Sequence, residues 1–324
     1  MGGVTPIRGA ALKEHERFLW SICYRMTGSV ADADDLVQET FVRALTRPPQ
    51  RTEEPLRPWL TSVALNLGRD LLRRRKRRGY VGPWLPAPIE TSLGDASAGP
   101  GEISPPSWEA SGEERSSTEW RYDLLESVSF AFLLALEALS PMQRAVLLLR
   151  DVYDYSVREA ADALGTSEAN VKTSHHRARR AMEAHDRSRS VPAPDREAHT
   201  RRALERFMAC VTREDVGGVE ALLAESVQVL SDGAGEFVAA RVPVVGRSKV
   251  ARFLVKLSQG GGAQARVQWR TVNGHAALLL EHEPTRPNDP PRVLITCDTD
   301  RDGQITAFYM VLATSKLTAV HPIQ

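Results

Sequence analysis

Cysteine is scarce. Cys23, Cys210 and Cys297 are the only three in 324 residues. An odd number of thiols, widely separated, excludes a disulfide framework and offers no metal-ligand spacing. They read as buried apolar side chains, and no metal or other cofactor is expected. Long apolar runs are also missing, so nothing here spans the ~20 residues of a membrane helix. Met1 to Ala10 lacks the apolar core of a secretion signal. These absences predict a soluble, cytoplasmic chain with no membrane contact. Its hydrophobic share of 42% is still ample for cores. Its length calls for two or three domains.

A large net charge is lacking too, at a formal +1. That near balance hides strong segregation. Residues 69–78 read RDLLRRRKRR, with Asp70 their single acid, and residues 172–189 hold six Lys or Arg against Glu183 and Asp186. Acids gather instead at Asp32, Asp34, Asp35 and Glu39, and again from Glu90 to Glu126. Two separated basic stretches suggest two contacts with one polyanion.

Helical periodicity covers residues 11–46, through Phe18, Leu19, Ile22, Cys23 and Met26. Thr27-Gly28-Ser29 breaks it, and Asp32 is the candidate cap of a second helix. The apolar face of that helix is Leu36, Val37, Thr40, Phe41 and Leu45. A third helix is expected over 56–78, with Trp59, Leu60, Val63, Leu67 and Leu71 inward. Residues 79–118 are rich in Pro, Gly, Ser and Glu and read as a linker, although Trp84, Leu85 and Trp108 are unusual in one. Helices resume over 119–186, one starting at Ser140-Pro141 with serine as cap and proline in the first turn. From 196 the texture is α+β. Helices are expected at 197–212, 216–223 and 248–258. Strands are expected at 227–231, 236–241, 265–272, 275–282, 292–298 and 304–312.

Ser156 to Arg180 carries the most specific local pattern. Val157 to Leu164 makes one helix, Gly165-Thr166-Ser167 a tight turn, and Glu168 to Met182 a second helix. Ala160, Ala161, Leu164, Val171 and Ala178 let the two pack closely. This is helix-turn-helix geometry, whose second helix enters a major groove. An ordinary helical hairpin with a solvated basic face is the competing reading. Ser167, Glu168, Asn170, Lys172 and Thr173 are placed for base edges. Arg177, Arg179 and Arg180 are placed for phosphates. Arg73 to Arg78 exceed what a helix dipole needs at its C-terminus, so phosphate contact is the better reading. The acidic helix suits a protein partner rather than DNA, with Phe41 as an apolar anchor.

Taken together, these segments resemble the extracytoplasmic-function sigma factors of the sigma-70 superfamily over residues 12–186. Ala31 to Ala44 looks like region 2.2, which grips core RNA polymerase. Trp59-Leu60 through the arginine run looks like regions 2.3 and 2.4, which open and read the −10 element. Leu139 to Val146 with the helix-turn-helix looks like region 4, which reads the −35 element. The resemblance implies polymerase contacts at Asp34, Asp35, Gln38, Glu39, Phe41 and Arg43. It implies −10 contacts at Trp59, Asn66, Asp70, Arg73, Arg74, Arg75 and Arg77, with a flipped base held by the loop between Arg47 and Pro58. Trp59 reads equally well as a base-stacking group or a core residue. The −35 contacts would be Ser167, Asn170, Lys172, Thr173, His176, Arg177 and Arg180.

The remainder resembles the subgroup with a SnoaL-like extension, a cone-shaped α+β fold. Tyr80-Val81-Gly82-Pro83-Trp84-Leu85-Pro86-Ala87-Pro88 looks like its linker motif. Leu230 to Glu236 looks like its Asp-Gly-Gly-Gly loop, with Ala234 in place of a glycine and Glu236 where lysine is common. Thr314-Ser315-Lys316-Leu317 matches the terminal motif only in part. The expected organisation is therefore multi-domain. Region 2 covers 10–79 as an all-α bundle, the linker covers 80–118, and region 4 covers 119–188 as an all-α helix-turn-helix. The α+β SnoaL-like domain covers 196–324.

Regulatory contacts are expected between Trp84, Leu85, Pro86 and Asp232, Gly233, Gly235. By resemblance this domain stands in for a separate anti-sigma factor, which would not be required. An unidentified small-molecule ligand of the domain stays open. Asp232, His275 and His282 form a conceivable acid-base set, but no catalytic residue is assigned. Two alternatives remain: a helix-turn-helix regulator with a ligand-binding domain, and an enzyme fused to a DNA-binding module.

Overall fold

The computed structural model describes residues 9–47, 56–80, 82–91, 126–188, 193–259, 265–284 and 286–323. Residues 48–55 of the expected base-flipping loop, the rest of the linker with Trp108, and the first residues of the 119–186 segment lie outside these, and the loop's last expected residues, Leu56 to Pro58, belong to a helix. The chain divides into two compact units. Unit 1 comprises Met1–Gly79, Asp95–Ser127 and Ala135–Ala184. Unit 2 comprises Tyr80–Gly94, Val128–Leu134 and His185–Gln324.

Unit 1 is helical. It begins with α1 (Gly9–Lys13), α2 (Glu16–Thr27), α3 (Val30–Thr46) and α4 (Leu56–Arg78). The apolar stripe of α2 is buried at Phe18, Leu19, Ile22, Cys23 and Met26. Gly28 then closes α2 in the left-handed region at φ 64°, its N–H bonded to Tyr24 O. The cap of α3 is Ser29, not Asp32: the serine hydroxyl accepts from Asp32 N. Serine at the position before the first helical residue satisfies an orphan amide, which Asp32 inside the first turn cannot do. Leu36, Val37 and Thr40 face inward as expected, but Leu45 is 57% exposed, because the stripe rotates past the core by the last turn.

The remaining helices are α5 (Phe130–Leu136), whose residues through Leu134 belong to unit 2, α6 (Pro141–Asp151), α7 (Val157–Leu164) and α8 (Glu168–Ser188), which belongs to unit 1 as far as Ala184. Ser140 and Ser156 each build a capping box, with Gln143 and Glu159 respectively. The bonds between Glu159 and Ser156 hold that carboxyl below its usual range. Gly165 turns the chain between α7 and α8 at φ 60°, which an L-residue with a Cβ reaches only at a cost. Ala160, Ala161, Leu164, Val171 and Ala178 are buried between these helices.

Unit 2 is one six-stranded sheet with helices. It contains α9 (Ala193–Thr212), α10 (Val216–Ala221), β1 (Leu223–Asp232), β2 (Val244–Val245), α11 (Arg247–Gln259), β3 (Arg266–Val272), β4 (His275–Glu281), β5 (Arg292–Thr299) and β6 (Ile305–Val311). The strand order is β2-β1-β6-β5-β4-β3. β1 and β6 run parallel and the other neighbours antiparallel. This is the α+β layering that the SnoaL resemblance implies.

Alternation divides the sheet's side chains between two cores. One face carries Val229, Leu278, Cys297, Phe308 and Met310 against Leu204 and Phe207 of α9 and Val250, Leu254 and Val255 of α11. Phe207 and Phe308 meet at 4.8 Å between centroids. The other face carries Ala277, Leu279, Leu294, Tyr309 and Val311. It is covered by Leu85 of the linker, Phe130 of α5, and Leu317 and Val320 of the tail. Fully burying a side chain such as Leu85 contributes about 2 kcal/mol.

The strand expected at 236–241 does not form. Ala234 and Gly235 adopt positive φ, and the amides of Glu236 and Phe237 bond back to Gly233 O, so the chain reverses where alternation alone suggested extension. Likewise the helix expected at 216–223 stops at Ala221, and Leu223 opens β1.

Candidate nucleic-acid interface and linker clamp

On α8 the inward residues Val171, Ser174, Ala178 and Met182 recur at helical spacing. This leaves Ser167, Asn170, Lys172, Thr173, His176, Arg177 and Arg180 exposed on the outer side. Ser167 Oγ accepts from Asn170 N, and the Asn170 amide donates to Thr166 Oγ1 at 2.7 Å. The open row therefore starts at an ordered helix end. Arg179 is not part of it. Its guanidinium donates twice to the fully buried carboxylate of Asp151, at 2.8 and 3.1 Å, and His175 Nε2 meets the same carboxylate at 2.7 Å. Burial pushes the Asp151 carboxyl up, but hydrogen bonds and charge from His175 and Arg179 outweigh it and hold it below its usual value. Asp151 thus fixes α8 against the end of α6.

On α4, Asn66, Asp70, Arg73, Arg74 and Arg77 are exposed and Trp59 is half-buried. Asp70 pairs with Arg73 at 2.8 Å, and Asn66 accepts from Arg69 at 2.9 Å. Arg75 departs from the expected DNA face. It donates to Thr27 O at 2.9 Å and approaches Glu137 at 3.6 Å. Nearby, Arg144 is buried and donates to Met26 O, Leu136 O and Glu137. Arg69 reaches Leu164 O at 3.4 Å, and Tyr153 OH pairs with Ser21 Oγ at 2.8 Å. These bonds join α2 and α4 to α6 and α7 within unit 1.

On α3, Asp35, Gln38, Glu39 and Arg43 are exposed, with Glu39 and Arg43 paired at 2.9 Å. Asp34 is also exposed but accepts from Trp20 Nε1 at 2.7 Å. Phe41 is half-buried, while Val42 (52% exposed) and Leu45 add apolar surface beside the acids.

In unit 2 the linker is fastened at two points. The first is Asp232, fully buried at the end of β1. Its Oδ1 accepts from Tyr80 OH at 2.7 Å and Ala234 N at 2.9 Å. Its Oδ2 accepts from Leu85 N at 2.7 Å and Lys316 Nζ at 2.7 Å. Lys316 also donates to Leu85 O and sits 4.9 Å from the ring centroids of both Tyr80 and Trp84. Pro86 is buried beside Leu85. Gly233 is required for space, since a Cβ there would lie 2.4 Å from Phe237 O. The second point is Asn273, in the turn between β3 and β4. Its side chain accepts from Ile89 N and donates to Val128 O, and Thr91 N bonds Thr271 O.

Residues 11–78 match the family of sigma-70 region 2, and residues 129–182 match sigma-70 region 4. The ECF RNA polymerase sigma factor SigJ of Mycobacterium tuberculosis is 33% identical over 315 residues, covering 95% of this chain and 91% of SigJ. This chain is an extracytoplasmic-function sigma factor. The crystal structure of M. tuberculosis SigJ superposes with a TM-score of 0.69 at 30% identity, covering 97% of this sigma factor and 98% of that chain. SigG of the same organism is 36% identical over 242 residues, 67% of this chain and 60% of SigG. Sigma factors bind core RNA polymerase and promoter DNA. Among the described residues, no helix is long and apolar enough to cross a membrane.

Two features of this sigma factor escaped the sequence reading. Asn273 carried a signal, because Asn273-Gly274 between two strands is a hairpin turn, but nothing indicated that its amide would hold the linker. Asp151 carried none, being one acid at a helix end. The imagined acid-base set does not assemble. Asp232 is occupied by Lys316, Tyr80 and backbone amides, whereas His275 Nδ1 lies 3.5 Å from Thr200 Oγ1 and 4.0 Å from Asp298.

Proposed function

We propose that this sigma factor directs promoter-specific initiation from a closed resting form, and that its C-terminal domain modulates it by holding the linker. The exposed row of α8 reads the −35 element. Ser167, Asn170, Lys172 and Thr173 contact bases, and His176, Arg177 and Arg180 contact phosphates. The exposed basic side of α4, with Trp59, Asn66, Asp70, Arg73, Arg74 and Arg77, serves the −10 element. Asp34, Asp35, Gln38, Glu39, Phe41 and Arg43, joined by Val42 and Leu45, dock on core polymerase.

The observation that carries the closed reading is the bonding of region 2 to region 4, Arg144 to Met26 O at 2.9 Å foremost. Elements near −10 and −35 lie about 25 base pairs apart, or ~85 Å along the duplex axis at ~3.4 Å per pair. Two reading helices joined within one unit do not reach both elements, so engagement requires unit 1 to open. Opening then parts Arg75 from Glu137, while its bond to Thr27 O, between α4 and α2, stays within region 2.

The linker sets how far opening can go. Fastening residues 82–91 removes ~33 Å of extended chain from the tether between α4 and α5. A cavity of about 350 Å³ lined by Gly82, Ser231, Gly233, Phe237, Ala240 and Arg241 borders the Asp232 clamp. An unidentified small-molecule ligand would act there by loading Gly82 and Gly233. In this reading no separate anti-sigma factor is required.

The test is in vitro transcription with core polymerase on a promoter-fragment library, comparing the native chain with Asp232→Asn. The expected result is a severalfold change in output at unchanged start sites, with faster amide exchange over 82–91. Unchanged output despite a released linker would sink the regulatory part of the proposal.

A further inference from the structure

The segment from Phe237 to Leu280 contains no Asp or Glu but carries Arg241, Arg247, Lys249, Arg252, Lys256, Arg266 and Arg270. Its helix, α11, buries Val250, Ala251, Leu254 and Val255. The opposite side exposes Lys249, Arg252 and Lys256, a stripe at i, i+3 and i+7 that spans ~10.5 Å. The helix dipole favours Lys256, which lies in the last turn, but helix stability does not account for the other charges. Arg247 and Lys249 lie in the first turn, where the helix dipole disfavours cations. The acids near the helix serve other residues: Glu225 pairs with Arg247 at 3.5 Å, and Glu214 accepts from Gln259 at 2.8 Å. Arg252 uses one donor on Ser248 O. Among the described residues, no acid pairs with Lys249, Arg252 or Lys256.

We propose that this face of α11 is a further DNA-binding surface, gripping the phosphate backbone of the duplex that flanks the −35 element. An acid-free stripe of cations on one rigid helix complements a polyanion and carries no base readout. The covalent chain delivers it to DNA. The helix that bears the −35 row, α8, continues through His185 into the C-terminal unit, and only residues 189–192 separate it from α9. Four residues bridge at most ~14 Å, so a sigma factor seated on its promoter keeps this unit close to the duplex.

The test uses holoenzyme on a promoter fragment with long flanks. Hydroxyl-radical footprints and the salt dependence of binding, between about 50 and 200 mM, are compared for the native chain and the triple variant K249Q/R252Q/K256Q. The proposal expects the log–log salt slope to fall by ~2–3, close to 0.9 per lost phosphate contact. It also expects loss of protection flanking the −35 element while protection of the −10 and −35 elements persists. An unchanged slope and footprint would overturn it. So would weaker assembly with core polymerase at an unchanged footprint, which would assign the stripe to an acidic polymerase surface. Stripe-dependent binding to phosphatidylserine vesicles without a change in footprint would overturn it in favour of a membrane. Should the triple variant melt early, Lys256→Glu alone replaces it. That charge reversal must also weaken flanking protection, and full retention would refute the proposal.

Discussion

Asp151 and Asp232 are the same device in two places: a carboxylate with a fully buried side chain, met by a cation, that fastens one segment to another. Their partners differ. Asp151 is held by His175 and Arg179, which lie one turn apart on α8, so all three of its bonds fall on one rigid helix. Asp232 gathers Tyr80, the Leu85 amide and Lys316 from segments far apart in sequence, together with the Ala234 amide of its own turn. In the proposed function the first is a brace that aims α8, and the second is a latch whose removal would release the linker and the C-terminal turn together.

The largest effect should therefore come from Asp232→Ala. It strands the Lys316 ammonium, whose side chain is only 14% exposed, and leaves the Leu85 amide without its acceptor. Removing one partner of a buried pair costs about 3–5 kcal/mol. Denaturant unfolding should show that loss. A double variant, Asp232→Ala with Lys316→Met, should recover part of it, because no buried charge remains. If the double variant is no better than the single, the latch is not electrostatic.

Asp151→Asn comes next, at about 1.5–3 kcal/mol for lost charge-assisted bonds. The pH dependence distinguishes the brace. Because the folded state holds Asp151 below its usual value, its contribution is complete above the unfolded value of about 3.9. It is lost as pH falls through the lower folded value. The native chain should lose stability in that acid limb, and Asp151→Asn should flatten it while leaving the region above pH ~5 parallel. Its −35 binding should weaken more than its −10 binding. Equal loss at both elements would show that Asp151 supports unit 1 in general and does not aim α8.

The turns beside the two aspartates sharpen the contrast. Gly165 between α7 and α8 has open space around a built Cβ but a φ of 60°, so Gly165→Ala should cost about 1–2 kcal/mol from backbone conformation alone. Gly233 has no such φ, but its Cβ would meet a backbone carbonyl at 2.4 Å. Gly233→Ala must move the 233–237 turn, at about 1–3 kcal/mol, and should disturb linker protection in amide exchange. Unaltered exchange over residues 82–91 would detach this turn from the clamp.

What could be read beforehand follows the range of the forces involved. Helices α2, α4, α6, α7 and α8 were legible from periodicity, glycine stops and, for α6, the Ser140 cap, because those signals act within a few residues. The boundaries of α4 came directly from its first apolar turn and the end of its arginine run. The exposed row of α8 followed from knowing which of its residues face α7. The inward turns of Arg75 and Arg179 were not legible, since a cation looks the same in sequence whether it meets phosphate or a carbonyl across the fold. The missing strand at 236–241 failed similarly, because the positive φ of Ala234 is not an alanine preference. The resemblance supplied the linker motif and Asp232, but not Asn273, whose partners lie about 145 and 184 positions away in sequence.

The smallest effect concerns the two places where this chain departs from its subgroup, and the structure brings them together. Glu236 stands where lysine is common, and Thr314-Ser315 stands in the partly matching terminal motif. The Glu236 carboxylate accepts from Thr314 N at 3.0 Å, from Ser315 N, and from the Ser315 hydroxyl. It caps the short 3-10 turn Thr314–Lys316 that presents Lys316 to Asp232. The loop acid is thus matched by two backbone amides and one hydroxyl of the tail. Each group is exposed, so Glu236→Ala should cost only about 0.5–1.5 kcal/mol. In a double-mutant cycle with Ser315→Ala, the coupling should be about 0.5 kcal/mol or more. Additive losses would mean that Lys316 reaches Asp232 without help from Glu236.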